Sequence, residues 1–302
     1  MYGCGRRCIF AVVCANAAYL GNREKGVASV KKKYVYLLML PGLLFLTLFM
    51  LVPIIMTIGT TFFQKGNFTF NGYMHFLQDQ YFLNILLTTM QVSTVTTILC
   101  IIIGFPVAYY VSRQSPRTKG IMLALAIFPL LTSSVVRSFS WIIILGKNGL
   151  LNSSLMSLGL IQQPLEILYT PTAVMIGLIH LFLPLIIISL VGVMENIDPD
   201  LVKAAESLGA SRFTVFRKVI FPLSIPGLIL GSILVFVGSM TAYTTPSVLG
   251  GKKRVISTFL YQNAITLNDW YSASVVATIM MVITLIVIGL MTKISTKLSV
   301  KG

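Results

Sequence analysis

The sequence predicts an all-α membrane protein that crosses the bilayer six times and carries a pair of short helices on its cytoplasmic side. Three observations carry this prediction. Of the 302 residues, 56% are hydrophobic and 10% charged, where a soluble domain holds about a quarter charged residues. Several stretches stay apolar for the roughly 20 residues that a helix needs to cross lipid. One interval between two such stretches, Asp198 to Ser211, is polar and patterned as a short amphipathic helix with its own start and stop signals.

The six spans are read as Tyr34–Phe63, Phe82–Val111, Ile121–Leu145, Thr172–Met194, Leu223–Thr245 and Ala273–Ile294. Each must be helical, because backbone polar groups in hydrocarbon have to pair within their own segment. Basic residues orient the spans. With the N-terminus in the cytoplasm, the inner segments hold Lys31, Lys32 and Lys33, then Arg113, Arg117 and Lys119, then Lys203, Arg212, Arg217 and Lys218, then Lys293, Lys297 and Lys301. The outer segments hold Lys65, Lys147 and the triplet Lys252, Lys253 and Arg254. That bias puts both termini inside. It also accounts for the net charge of +15 without nucleic acid as a partner. The outer triplet runs against the trend. It is either a small violation or a group with a task on the outer face.

Residues 1–30 form a tail ahead of a membrane domain at 31–302. Arg6-Arg7 followed by Ile9–Ala18 resembles a short signal peptide, with Ala15-Asn16-Ala17 as its cleavage site. Cleavage there would leave Lys31, Lys32 and Lys33 outside, against the other loops. The reading is therefore an uncleaved cytoplasmic tail or an extension from a misassigned start. Cys4, Cys8 and Cys14 form no CxxC pair and, with Cys100, support neither a zinc site nor a disulfide framework.

The interval from Glu195 to Pro222 carries the functional information. Asp198 can cap a helix whose first residue, Pro199, already has helical φ. Leu201, Val202, Ala205 and Leu208 then recur on one face, away from Asp200, Lys203 and Glu206. Gly209 ends the helix, as a left-handed residue after the C-cap does. Ser211 can cap a second helix with Phe213, Phe216 and Ile220 on one side, bounded by Pro222. Ala204 and Ala205 permit close approach by another surface. Nothing in the bilayer needs such a pair, so its apolar side calls for a cytoplasmic partner. Two duller or different readings stand beside this one. The loop could pack only on its own spans, or it could be a DNA-binding helix-turn-helix with Ser211–Lys218 as the recognition helix. Phe213 and Phe216 spoil a base-reading face, and both ends enter the bilayer within a few residues.

With those residues in place, the chain resembles the permease subunits of ABC importers. Their motif is E-A-A, three residues, Gly, nine residues, then I-x-L-P. Here it reads Lys203-Ala204-Ala205, Gly209 and Val219-Ile220-Phe221-Pro222, with both gaps kept and with Lys203 and Phe221 departing from the pattern. Thr132–Trp141, Gly149-Leu150-Leu151-Asn152, Leu249-Gly250-Gly251-Lys252 and Asn268-Asp269-Trp270 are most similar to spermidine/putrescine-type permeases, and related permeases for other small organic solutes share parts of them. The resemblance implies a bacterial cytoplasmic-membrane complex. Two ATPase subunits would bind ATP and magnesium, a second permease would pair with this chain, and an extracytoplasmic binding protein would deliver solute. This chain would bind no cofactor itself. It also implies that loop 195–222 sits in an ATPase cleft, with Asp198, Lys203, Ala204, Ala205, Gly209, Ser211, Phe213 and Pro222 building the coupling surface, and that the spans rock between two states.

Within the spans, Arg137 and His180 are the candidates for a pathway or gate. Counted along an unbroken helix from Gly120, Arg137 lies roughly 25 Å in, near the outer interface, where it is either a snorkelling anchor or a gate residue. His180 is either a core histidine bonded to a carbonyl or hydroxyl, or a solute contact. Pro184 can kink its helix. The hydroxyls of the second span, from Thr88 to Thr97, serve either their own backbone or packing against a partner subunit, and Gly231, Ser232, Gly238 and Ser239 form a similar small-residue face. The outer acids are Asp79, Glu166 and Asp269, few for a polyamine path. No HExxH, phosphate loop or membrane Asp pair suggests an enzyme.

Overall fold

The computed structural model describes residues 32–64 and 67–299, with side chains over 39–63 and 68–294. The tail at 1–30 and Lys31, Lys65 and Lys301 lie outside the described residues. The chain divides into two units, Met1–Thr57 and Ile58–Gly302. In the first, α1 (Lys32–Leu46) runs through a π turn at Thr47–Leu51 into α2 (Val52–Phe62), which crosses the boundary. Its side chains from Met39 to Val52 are exposed, as those of a helix solvated by lipid would be.

The second unit holds the packed core. A two-residue hairpin pairs β1 (Phe63–Gln64) with β2 (Asn67–Phe68), and α3 (Asn71–Gln78) leads into the long α4 (Gln80–Ser112). α5 (Pro116–Leu131) and α6 (Ser134–Leu145) follow, then α7 (Leu150–Ser157) and α8 (Pro171–Met194). Next come α9 (Pro199–Ser207) and α10 (Arg212–Val215), which passes through a π turn at Phe216–Ile220 into α11 (Phe221–Thr241). Short helices α12 (Thr244–Leu249) and α13 (Ile256–Tyr261), a π turn at Gln262–Thr266, and α14 (Trp270–Ser299) complete the chain. Five unbroken helices and one bent pair are long and apolar enough to span a membrane. The all-α reading therefore holds, with five spans, or six when the bent pair is counted as one.

The centre is α4 against α8 and α11. Cys100, Phe105, Ala108 and Val111 of α4 meet Ile186, Ile187, Leu190 and Met194 of α8 and Val235 of α11. Small residues set the spacing. A Cβ at Gly231 would lie 2.9 Å from Ile186 Cγ1, so α11 can approach α8 only because that atom is missing. The small-residue face of the fifth span is thus used within the chain. So are three hydroxyls of the second. Thr88, Thr89 and Thr97 donate to the carbonyls of Asn84, Ile85 and Ser93 four residues back, and Thr89 Oγ1 also accepts from Ile256 N at 2.9 Å. Local bonding and packing inside the chain account for these three, while Ser93 Oγ and Thr96 Oγ1 are buried without a partner among the described residues and Gln91 and Thr94 are exposed.

Three boundaries differ from the sequence reading, each for a stated reason. The third span is not continuous. α5 and the helical stretch that starts at Ser134 meet at 93°, because Thr132 takes extended backbone (φ −79°, ψ 147°) and Ser133 follows at φ −54°, ψ 131°. Hydropathy does not register a two-residue break. The fifth span starts at Arg212, not Leu223, and ends at Thr241. Pro222 does not bound a separate helix. Its missing N–H removes one rung of the ladder, and the π turn immediately before it absorbs the mismatch, so the helix continues. Pro53 stands in the same relation to the π turn at Thr47–Leu51.

Candidate functional site

The loop between α8 and α11 folds as its sequence dictates. Asp198 Oδ1 accepts from Asp200 N at 2.9 Å, with Pro199 as the first helical residue of α9. At the other end Gly209 has φ +82°. Gly209 N donates to Glu206 O at 2.9 Å and Ala210 N to Ala205 O at 3.1 Å, the paired bonds that close a helix through a left-handed glycine. Ser211 Oγ then accepts from Thr214 N and starts α10. Two caps and one glycine thus fix the angle between α9 and the helix that enters the membrane.

Side-chain exposure is the informative property of this loop. Leu201, Leu208 and Phe213 are 49%, 88% and 71% exposed. Ala204 is exposed and Ala205 half-buried. Lys203 reaches back to Asp200 Oδ1 at 2.9 Å, with both side chains in solvent. Phe213 and Phe216 differ in burial. Phe216 packs its ring 5.6 Å from Phe105 and anchors the loop to α4, whereas Phe213 points away. The π turn begins only at Phe216, so the two rings are joined by regular helix and differ in burial by their position along the loop. Pro222 is half-buried within the continuous helix. Since α10 runs directly into the span, Ser211–Lys218 is no free recognition helix for DNA.

A contact the sequence did not signal ties this loop to the bent span. Lys119 Nζ at the start of α5 lies 2.7 Å from Glu195 Oε1, at the end of α8, and the Lys119 side chain is only 14% exposed. Charge counting placed Lys119 among generic inner-loop cations. No spacing rule pairs residues 76 positions apart.

The two candidates in the membrane are brought close, in different roles. Arg137 is 7% exposed, and its guanidinium donates to Pro129 O and Thr132 O. The carbonyls at a helix C-terminus lack internal partners, and Arg137 supplies them across the bend. It neither snorkels nor opens to solvent. The depth of roughly 25 Å fails with the straight helix it assumed. His180 is not a core histidine. It is exposed, and its Nδ1 accepts from Trp141 Nε1 at 3.3 Å. That bond requires Nδ1 to be unprotonated, so the ring N–H sits on Nε2. His180 lies about 14 Å along α8 from Pro171, at mid-membrane depth. On the opposite end of the bend, Ser134 Oγ donates to Thr244 Oγ1 at 3.4 Å and joins α6 to α12. Of the outer triplet, Lys253 and Arg254 line a cavity of about 340 Å³ with Tyr243, Tyr261 and Gln262.

Residues 100–301, which include the loop and the bent span's second arm, match the family described as binding-protein-dependent transport system inner membrane component. The chain belongs to that family. This permease is 33% identical over 253 residues to the spermidine/putrescine transport system permease protein PotB of Escherichia coli K12, covering 80% of this chain and 92% of that one. It is 34% identical over 215 residues to the PotB protein of Haemophilus influenzae, covering 69% and 75%. Its fold is similar to that of a chain in the crystal structure of a bacterial ABC transporter that imports the acidic polysaccharide alginate, with TM-score 0.71, 16% identity and coverage of 88% and 96%. The permease is a multi-pass transport subunit of an ABC importer and not an enzyme.

Proposed function

We propose that this permease carries polyamines such as spermidine and putrescine inward across the cytoplasmic membrane. What supports the solute class is the one-third identity to PotB proteins along four-fifths of the chain. In this reading both termini face the cytoplasm, and residues 31–302 form the permease domain behind a tail at 1–30. Loop 195–222 seats in one of two ATPase subunits, which bind the ATP and magnesium. The exposed Leu201, Leu208 and Phe213 support that role, since apolar side chains this bare on a capped loop lack a partner among the described residues. A second permease pairs with this one, and an extracytoplasmic binding protein delivers the solute. His180 supports the pairing. An imidazole N–H left to hydrocarbon at mid-membrane depth is costly, so the second permease or the solute path covers that face.

The test is uptake of labelled spermidine by cells expressing the complete transporter, with Cys placed at Ala205 for crosslinking. Uptake lost on deletion of this chain, with the ATPase captured at position 205, supports the reading. Uptake that persists without the chain, or crosslinks that never contain the ATPase, refutes it.

A further inference from the structure

The few outer acids become more informative once folded. Asp269, just ahead of α14, lines a cavity of about 500 Å³ with Phe63, Asn71, His75, Phe76 and Tyr271. The sequence places these groups some 200 positions apart, on α3 and on α14. One oxygen of Asp269 is engaged: Oδ1 accepts from Ser272 N at 3.0 Å. Among the described residues Oδ2 has no partner. The Tyr271 hydroxyl is buried at the wall with no partner. It lies where a Cβ at Gly72 would be only 2.6 Å away, so glycine is what lets the tyrosine stand there. One carboxylate, one amide and several aromatic rings around a cavity of this size suit an organic cation. They suit a metal ion less, since one carboxylate is a thin ligand set and no group of three His, Cys, Asp or Glu side chains placed to hold one exists among the described residues. The cationic lining of Lys253 and Arg254 belongs to a separate cavity.

We propose that this cavity receives one primary ammonium group of the solute on the outer side, with Asp269 Oδ2 and the Asn71 amide oxygen accepting its N–H groups and the rings of Phe63 and Tyr271 flanking its carbon chain. The proposal rests on the orientation and solute class proposed above. It makes the permease a receiving station with its own affinity, loaded before the spans change state.

The experiment is equilibrium binding of labelled spermidine to the complete transporter in lipid nanodiscs without the binding protein. Asp269→Asn keeps a capping side chain for Ser272 N and removes only the charge. Losing a charge-assisted bond of this kind should weaken binding by about tenfold or more. Asp79 is a second outer acid in the same capping role, holding Tyr81 N at 2.9 Å, and Asp79→Asn should leave binding unchanged. Phe63→Leu, on an exposed ring, should weaken it a few-fold. Equal binding by wild type and Asp269→Asn, or equal losses at Asp269 and Asp79, overturns the cavity assignment. If wild type imports no polyamine, the solute reading fails on its own. Binding of hexylammonium that is lost in Asp269→Asn would still sustain the site, and hexylammonium bound equally by both would end it.

Discussion

Removing the ion pair between Lys119 and Glu195 should disconnect the loop from the bent span. At an effective dielectric of about 20, unit charges 2.7 Å apart attract by roughly 6 kcal/mol. Most of that is offset. The Lys119 side chain is only 14% exposed, so its ammonium has given up much of its hydration, and Glu195, 53% exposed, screens the pair with water. A net coupling of about 1–2 kcal/mol remains, above the 0–1 kcal/mol typical of a surface pair. The single changes are unequal. Glu195→Gln leaves a shielded ammonium unpaired and should cost about 2 kcal/mol, whereas Lys119→Met frees a carboxylate that water can reach and should cost about 1 kcal/mol. The swap Lys119→Glu with Glu195→Lys should recover part of the loss. The assay is a double-mutant cycle on thermal unfolding of the purified complex, with labelled-solute uptake per ATP hydrolysed measured on the same preparations. If Lys119→Met combined with Glu195→Gln costs the sum of those two singles within about 0.3 kcal/mol, the pair carries no coupling energy. Unchanged uptake per ATP in Glu195→Gln would show that the contact transmits nothing.

Three further changes test the loop and the bend. Gly209→Val forces a β-branched residue to φ +82°, at about 1–2 kcal/mol or more; uptake should be lost while membrane insertion, measured by protease protection, stays normal. Lys203→Glu, which restores the family residue, exchanges one exposed i,i+3 attraction for a repulsion worth about 0.5 kcal/mol, so uptake should stay within about twofold of wild type. Arg137→Leu takes the guanidinium from Thr132 O and leaves Pro129 O with the Thr132 hydroxyl alone, at about 1–2 kcal/mol. Lower thermal stability and loss of a crosslink between Cys residues placed at Ser134 and Thr244 should follow.

What the sequence made legible was whatever is local. The caps at Asp198 and Ser211 and the stop at Gly209 are decided within a few residues by hydrogen bonds that any chain of this pattern would make, and the structure forms each of them. Span positions were legible because apolar length is a property of the segment itself. The break at Thr132-Ser133 was not, because two residues of extended backbone leave the hydropathy profile unchanged. Only the opposite arm shows why the chain tolerates the break: Arg137 must lie close enough to supply the carbonyls that the break exposes. Phe213 and Phe216 differ in burial because Phe216 alone reaches the Phe105 ring of α4, a contact between distant segments. Lys119 with Glu195, and Asp269 with α3, are encounters between distant segments, so no local pattern could name them.

The bend also explains why Arg137 and His180, read as equals in the sequence, do different work. A 93° turn inside a membrane span exposes carbonyls that hydrocarbon cannot satisfy. Burying a guanidinium there satisfies part of the backbone through Nη1, which donates to Pro129 O and Thr132 O, while Arg137 Nε is buried without a partner among the described residues. The same turn carries Trp141 onto α8, where its indole N–H takes Nδ1 of His180. That choice leaves the ring N–H on Nε2 of an exposed His180, about 14 Å along α8 from Pro171. The sequence of constraints therefore runs from a break in the backbone, to an arginine that repairs it, to a tryptophan that sets a tautomer, to an exposed histidine. Replacing Trp141 by Phe should leave the bend intact and release the tautomer. Nitrogen-15 spectra of His180 in the assembled transporter would show one protonated Nε2 in wild type and a mixture in the variant. A mixture already present in wild type would break the chain of argument at its third link.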